Sequence, residues 1–175
     1  MPRSTLIAAL AANLFTLAAA AREDPPRTPA FDPALAPMVG TWKRIKQDSK
    51  EPDLLLVIKE EKGLLRLRYQ LNTRKKVYSS DWNGDIEVDL WVNMKEFHKL
   101  DLTVFSDPPR IEVDDKIRYT GTWKGPKPRL LSSYEMGPEG KLLLRCRKFL
   151  QDDKEYPCPK PVEYGRVSTD TRWPD

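Results

Sequence analysis

The 175 residues carry 30 Lys and Arg against 26 Asp and Glu, a net charge of +4. Basic runs such as Arg74-Lys75-Lys76 sit close to acidic ones such as Asp85-Ile86-Glu87-Val88-Asp89, so the balance does not argue for nucleic acid as a partner. One histidine, His98, and two cysteines without Cys-x-x-Cys spacing do not supply a conventional zinc site; with no Gly-rich phosphate loop and no Gly-x-Ser-x-Gly elbow, no metal, cofactor or reaction class is expected.

The N-terminus reads as a secretory signal peptide over residues 1–21. Met1-Pro2-Arg3 supplies a positive charge, Leu6 to Leu17 is apolar apart from Asn13 and Thr16, and Ala18-Ala19-Ala20-Ala21 ends it with small residues. A membrane-spanning helix needs about 20 apolar residues. This segment is shorter, so cleavage after Ala21 is expected, with an uncleaved anchor as the alternative. The mature chain would then be secreted or periplasmic, without a transmembrane segment. In that oxidising setting Cys146 and Cys158 are expected to form a disulfide. Closing so short a loop stabilises by about 3 kcal/mol in the chain-entropy model.

Residues 22–37 hold five prolines after Glu23 and no apolar period, the composition of a disordered leader, so folding is expected to begin near Met38. A β domain then runs over 38–168, followed by a flexible tail, 169–175. Leu64 to Leu71 puts Leu65, Leu67, Tyr69 and Leu71 on one face and Arg66 and Arg68 on the other, the period of a strand with one buried side. Ile86, Val88 and Leu90 alternate with Glu87 and Asp89 in the same way. Further strands are expected at Gly40 to Ile45, Leu54 to Glu60, Lys76 to Trp82, Leu100 to Phe105, Ile117 to Lys124, Arg129 to Met136, Leu142 to Phe149 and Glu163 to Val167. Between them Glu60 to Gly63, Trp82 to Asp85, Phe105 to Arg110 and Gly137 to Gly140 carry turn chemistry. Only Asn93 to Lys99 suits a short helical turn. About ten strands at this spacing make an all-β chain, a single antiparallel barrel or half-open barrel. Gly40-Thr41-Trp42-Lys43 recurs as Gly121-Thr122-Trp123-Lys124, and Leu64 to Arg68 as Leu143 to Arg147; a duplicated half-barrel or chance would produce either echo.

Val39-Gly40-Thr41-Trp42-Lys43, at the start of the folded region, resembles the Gly-x-Trp opening of lipocalin-like (calycin-type) β-barrels. The layout as a whole is similar to small exported bacterial proteins of that type, with Gly121 to Gly125 and a strand pair across Gly137 to Lys141. The resemblance implies a barrel over most of Met38 to Val167, with Trp42 packed across its closed end. It also implies an arginine near the C-terminus lying on that tryptophan, for which Arg166 is the candidate by position. Small-ligand binding follows more loosely, and no particular ligand is implied.

Candidate sites were weighed on residue type and spacing. His98, in Lys95-Glu96-Phe97-His98-Lys99, reads as a surface histidine, and Asp114-Asp115 and Asp152-Asp153 as solubilising turn residues. Arg66 with Arg68, and Arg145 with Arg147, share strand faces about 7 Å apart. Apolar partners occupy the opposite faces, so the arginines are expected to point outward. Cys146 shares the Leu142 and Leu144 face, so its bridge to Cys158 would draw Pro157 to Pro161 over a barrel end as a lid or plug, with Tyr156 and Tyr164 covering apolar surface. The expected ligand wall is Trp42, Leu67, Tyr69, Val88, Leu90 and Trp123, with plain core packing as the competing role. The functional expectation is a non-enzymatic protein holding a small hydrophobic or amphipathic ligand. The alternative is an envelope-associated interaction module working through a sheet edge or a basic face.

Overall fold

Strict side-chain alternation builds most of this molecule. A computed structural model describes residues 28–172 except 49–50, 74–75, 84–85, 92–93 and 121–124. The expected signal peptide and the Gly121 to Lys124 echo lie outside the described residues. The strands are β1 (Gly40–Arg44), β2 (Asp53–Glu61), β3 (Leu64–Asn72), β4 (Val77–Ser79), β5 (Ile86–Trp91), β6 (Met94–Ser106), β7 (Pro109–Tyr119), β8 (Pro128–Met136), β9 (Leu142–Gln151), β10 (Lys154–Tyr156) and β11 (Val162–Ser168). All pair antiparallel in one sheet ordered β4-β3-β2-β1-β11-β9-β8-β7-β6-β5, with β10 on β9, and the sheet is nearly closed into a barrel.

The inward set is the apolar half of each alternation. Leu56 and Ile58 of β2, Leu65 and Leu67 of β3, Ile111 of β7 and Leu142 of β9 are all at most 1 % exposed and form one core. At about 25 cal/mol per Å² this burial is the main favourable contribution to folding. Arg66, Arg68, Glu112, Asp114 and Arg145 occupy the intervening positions. Turn chemistry closes the hairpins: Lys62 and Gly63 adopt φ of 55° and 76°, and Glu60 Oε1 accepts from Gly63 N at 2.6 Å.

The edge of β3 beyond its pairing with β4 is covered by a short irregular stretch. Ser80 N donates to Tyr69 O at 2.9 Å and Asn83 N to Leu67 O at 2.7 Å. The Asn83 amide then behaves like one more strand residue, accepting from Leu67 N at 2.6 Å and donating to Leu65 O at 2.7 Å. An open sheet edge is thereby shielded where it would otherwise invite another chain.

One end of the barrel is stoppered from the N-terminal side, which corrects the expected disordered leader over residues 22–37, of which 28–37 are described. Ala30 bridges to Leu64, Phe31 N donates to Gly63 O at 2.9 Å, and Pro33–Met38 forms a 3-10 turn capped by Asp32, whose side chain accepts from Ala34 N at 2.8 Å. Leu35 and Met38 project from this turn into the core, 0 % and 1 % exposed. Pro33 starts the turn because it lacks an N–H that an N-terminal position would leave unpaired anyway.

Trp42 seals that end. It is fully buried, and its Nε1 donates to Met38 O at 2.8 Å. The Arg166 guanidinium lies 4.4 Å from the centre of the indole, donates to Val39 O at 3.0 Å and also to Pro37 O. The preceding Gly40 has φ of +142°, and a Cβ there would stand 2.7 Å from Ser168 O. Gly40→Ala therefore meets backbone strain and a backbone clash together, and urea denaturation should show a loss of more than about 2 kcal/mol. An unchanged midpoint would contradict this placement.

The Cys146–Cys158 disulfide forms as expected. Its setting differs from the expected lid. β9 pairs with β11 over Leu142 to Leu144 and with β10 over Phe149 to Gln151, and Cys146 lies in the stretch between. The bridge fastens the β10–β11 connection there, while residues 157–161 stay exposed. Tyr156 is 43 % exposed, whereas Tyr164 is inside the barrel.

Candidate ligand cavity

Because the stopper fills one end, the interior remains open towards the other, where β2 and β8 begin and β3 and β9 end. A cavity of about 200 Å³ occupies this half. Leu67, Leu100, Leu130 and Leu144 supply much of its wall. Leu54, Tyr69 and Leu71, also in the wall, are partly exposed, so the space communicates with solvent.

Of the expected wall residues, Leu67 and Tyr69 line this cavity. Trp42 belongs to the sealed end. Val88 and Leu90 lie on β5, but their side chains, like the whole of Trp123, fall outside the described residues. Neighbouring Ile86 is in the wall, 5 % exposed.

The polar part of the site comes from residues with other expected roles. Asn93 to Lys99 contains no described helical turn, because Met94–Ser106 is one long strand. His98 therefore shares the face of Leu100 and Leu102 and is not a surface residue: it lines the cavity with its side chain 21 % exposed. Asp114 and Asp115 are not in a turn either. They sit within β7, with Asp114 outside and Asp115 in the cavity wall.

His98 Nδ1 is 2.8 Å from Asp115 Oδ2, and its Nε2 is 3.1 Å from Glu96 Oε1. Burial alone would lower the imidazole pKa, but the hydrogen bonds from Asp115 and Glu96, with their charges, outweigh it and raise the pKa to about 9. At neutral pH the ring is a cation that donates from both nitrogens. Asp115 Oδ1, by contrast, is buried without a hydrogen-bond partner.

Deeper in, the rings of Tyr134 and Tyr164 meet edge to face at 6.1 Å. Burial pushes Tyr164 up to about 12 and Tyr134 well above its ordinary value, so both stay neutral. Arg44 approaches Tyr164 from β1 but is ion-paired to Glu51 at 3.0 Å.

The arginine pairs face outward, as expected. Arg68 Nε donates to Ser80 O at 2.7 Å, Arg145 pairs with Glu135 at 3.3 Å, and Arg147 Nε donates to Ser133 Oγ at 3.0 Å. A wider external depression of about 750 Å³ crosses β6 to β9. Its charges are already paired, Arg110 with Glu112 inside it and Asp101 with Lys116 beside it, both at 2.8 Å. Among the described residues no group of three or more His, Cys, Asp or Glu side chains is placed to hold a metal ion, and no helix is long and apolar enough to cross a membrane. Comparison with known proteins finds no matching family model, no matching curated protein and no matching solved structure.

Proposed function

We propose that this protein is an exported, lipocalin-like barrel that binds a small amphipathic molecule and catalyses no reaction. The observation that carries the reading is the cavity of about 200 Å³, apolar along its wall with one charged cluster. A cavity of about 150 Å³ takes up benzene, whereas drug-sized ligands occupy about 300 Å³ or more. The fitting ligand therefore has about ten non-hydrogen atoms or fewer.

The His98–Asp115 pair, with Ser132 in the same wall, superficially suggests a hydrolase. A serine nucleophile needs a neutral imidazole whose second nitrogen faces the hydroxyl. Here Nε2 is engaged by Glu96, and the ring stays protonated up to about pH 9. That chemistry supports recognition over catalysis. The interaction-module alternative has less behind it, since Ser80 and Asn83 cover the edge of β3 and the outward arginines are paired.

Titration with benzyl alcohol tests the reading. A ligand of this size is expected to bind at about 1 mM or tighter. At ten times that Kd it would stabilise the fold by about 1.4 kcal/mol, read as a shift in the unfolding midpoint. Leu144→Trp, which fills the cavity, should abolish the shift. An equal shift in that variant, or none in the native protein, would defeat the proposal.

A further inference from the structure

Asp115 stands on the inward face of β7 with Ile111 and Val113, and only half of its carboxylate is satisfied. Oδ2 accepts from His98 Nδ1 at 2.8 Å, while Oδ1, shut away from solvent, accepts from nothing among the described residues. An open valence on a buried charged acceptor is costly, which is why native structures seldom leave one. His98 cannot supply the missing donor, because its second N–H is held by Glu96 at 3.1 Å.

Charge counting points the same way. One imidazolium is shared by two carboxylates, Asp115 and Glu96, so this cluster keeps one negative charge in surplus. The neighbouring cations are engaged elsewhere: Arg44 with Glu51 at 3.0 Å, Lys116 with Asp101 at 2.8 Å, and Arg129 with Asp114 at 2.8 Å. The Arg44 Nε is also buried without a partner, but Arg44 stands outside the cavity wall. An anionic head, such as that of a fatty acid, would bring like charge against this surplus. A cationic donor beside the Asp115 carboxylate would neutralise it.

We infer that the ligand of this cavity is a small primary amine, whose ammonium pairs with the Asp115 carboxylate in the wall while its apolar body lies among Leu67, Leu100 and Leu144. This rests on the binding function proposed above and specifies its chemistry. Ser132, 4 % exposed in the same wall, offers a hydroxyl to a second ammonium proton.

Four probes of nearly equal size separate the possibilities by NMR titration at pH 7: benzylamine, benzyl alcohol, toluene and benzoate. Benzylamine is expected to bind at least tenfold more tightly than toluene, benzyl alcohol between them, and benzoate most weakly. Asp115→Asn should remove the preference for the amine, so that within that variant benzylamine and toluene bind within about threefold of each other. Toluene or benzoate matching benzylamine in the native protein would overturn the inference and leave the cavity's binding role standing. Binding of none of the four would overturn both. The ranking in the native protein decides the matter even if the variant does not fold.

Discussion

Trp42→Ala is expected to cost about 4 to 5 kcal/mol, at the upper end for removing a buried aromatic side chain. Three losses coincide at this residue. The indole is fully buried at the sealed end of the barrel, its Nε1 satisfies Met38 O at 2.8 Å, and its face receives the Arg166 guanidinium at 4.4 Å. Domains of this size are stable by only about 5 to 15 kcal/mol, so the variant should be largely unfolded at modest urea concentrations. Trp42→Phe keeps most of the ring and forfeits the N–H, and should cost nearer 1 to 3 kcal/mol for the carbonyl left without its donor. Equal losses in the two variants would mean that the hydrogen bond, and not the ring's packing, holds the stopper.

The second large effect is a dependence of stability on pH. His98 binds its proton with a pKa of about 9 in the folded protein, against about 6.5 in the unfolded chain. Its contribution is fully present below about pH 6.5 and is lost as pH rises through about 9, because across that window the folded state holds a proton that the unfolded state has released. A difference of this size corresponds to about 3 kcal/mol. His98→Gln should flatten the curve between those limits. It should also destabilise the protein at pH 6 by about 3 kcal/mol, since Asp115 and Glu96 then share a partly buried site without their cation. A native protein equally stable at pH 6 and pH 9 would rule out this protonation scheme.

The barrel was legible wherever alternation ran unbroken. Leu65 and Leu67 against Arg66 and Arg68 fixed the inner and outer faces of β3, and the Gly-Thr-Trp opening pointed to the contact that Arg166 makes with Trp42. The stopper was hidden by composition, because proline-rich segments are usually extended linkers. Leu35 and Met38 are three residues apart, the spacing that a 3-10 turn presents on one side, and this was the available signal.

The charged cluster was missed for a related reason. Continuing the alternation of Leu100, Leu102 and Val104 backwards places His98 and Glu96 on the inner face, and Ile111 and Val113 lead to Asp115 in the same way. Polar residues at inward positions break the expected hydrophobic pattern, so a reading that seeks apolar strands stops short of them. Departures of this kind are where function is most often lodged. Lys154–Tyr156 was invisible because it is short and wholly exposed, held to β9 by backbone pairing, the Lys148–Glu155 ion pair and the contact of the Phe149 and Tyr156 rings.

The central claim is that a small amphipathic molecule enters the barrel at its open end and lies inside it. Intermolecular NOEs between bound benzyl alcohol and the protein's methyl groups test this most directly. Cross-peaks to Leu67, Leu100 and Leu144, which line the cavity, are the predicted result. Cross-peaks confined to exposed methyls such as those of Val77 and Val167 would place the probe on the outside and contradict it.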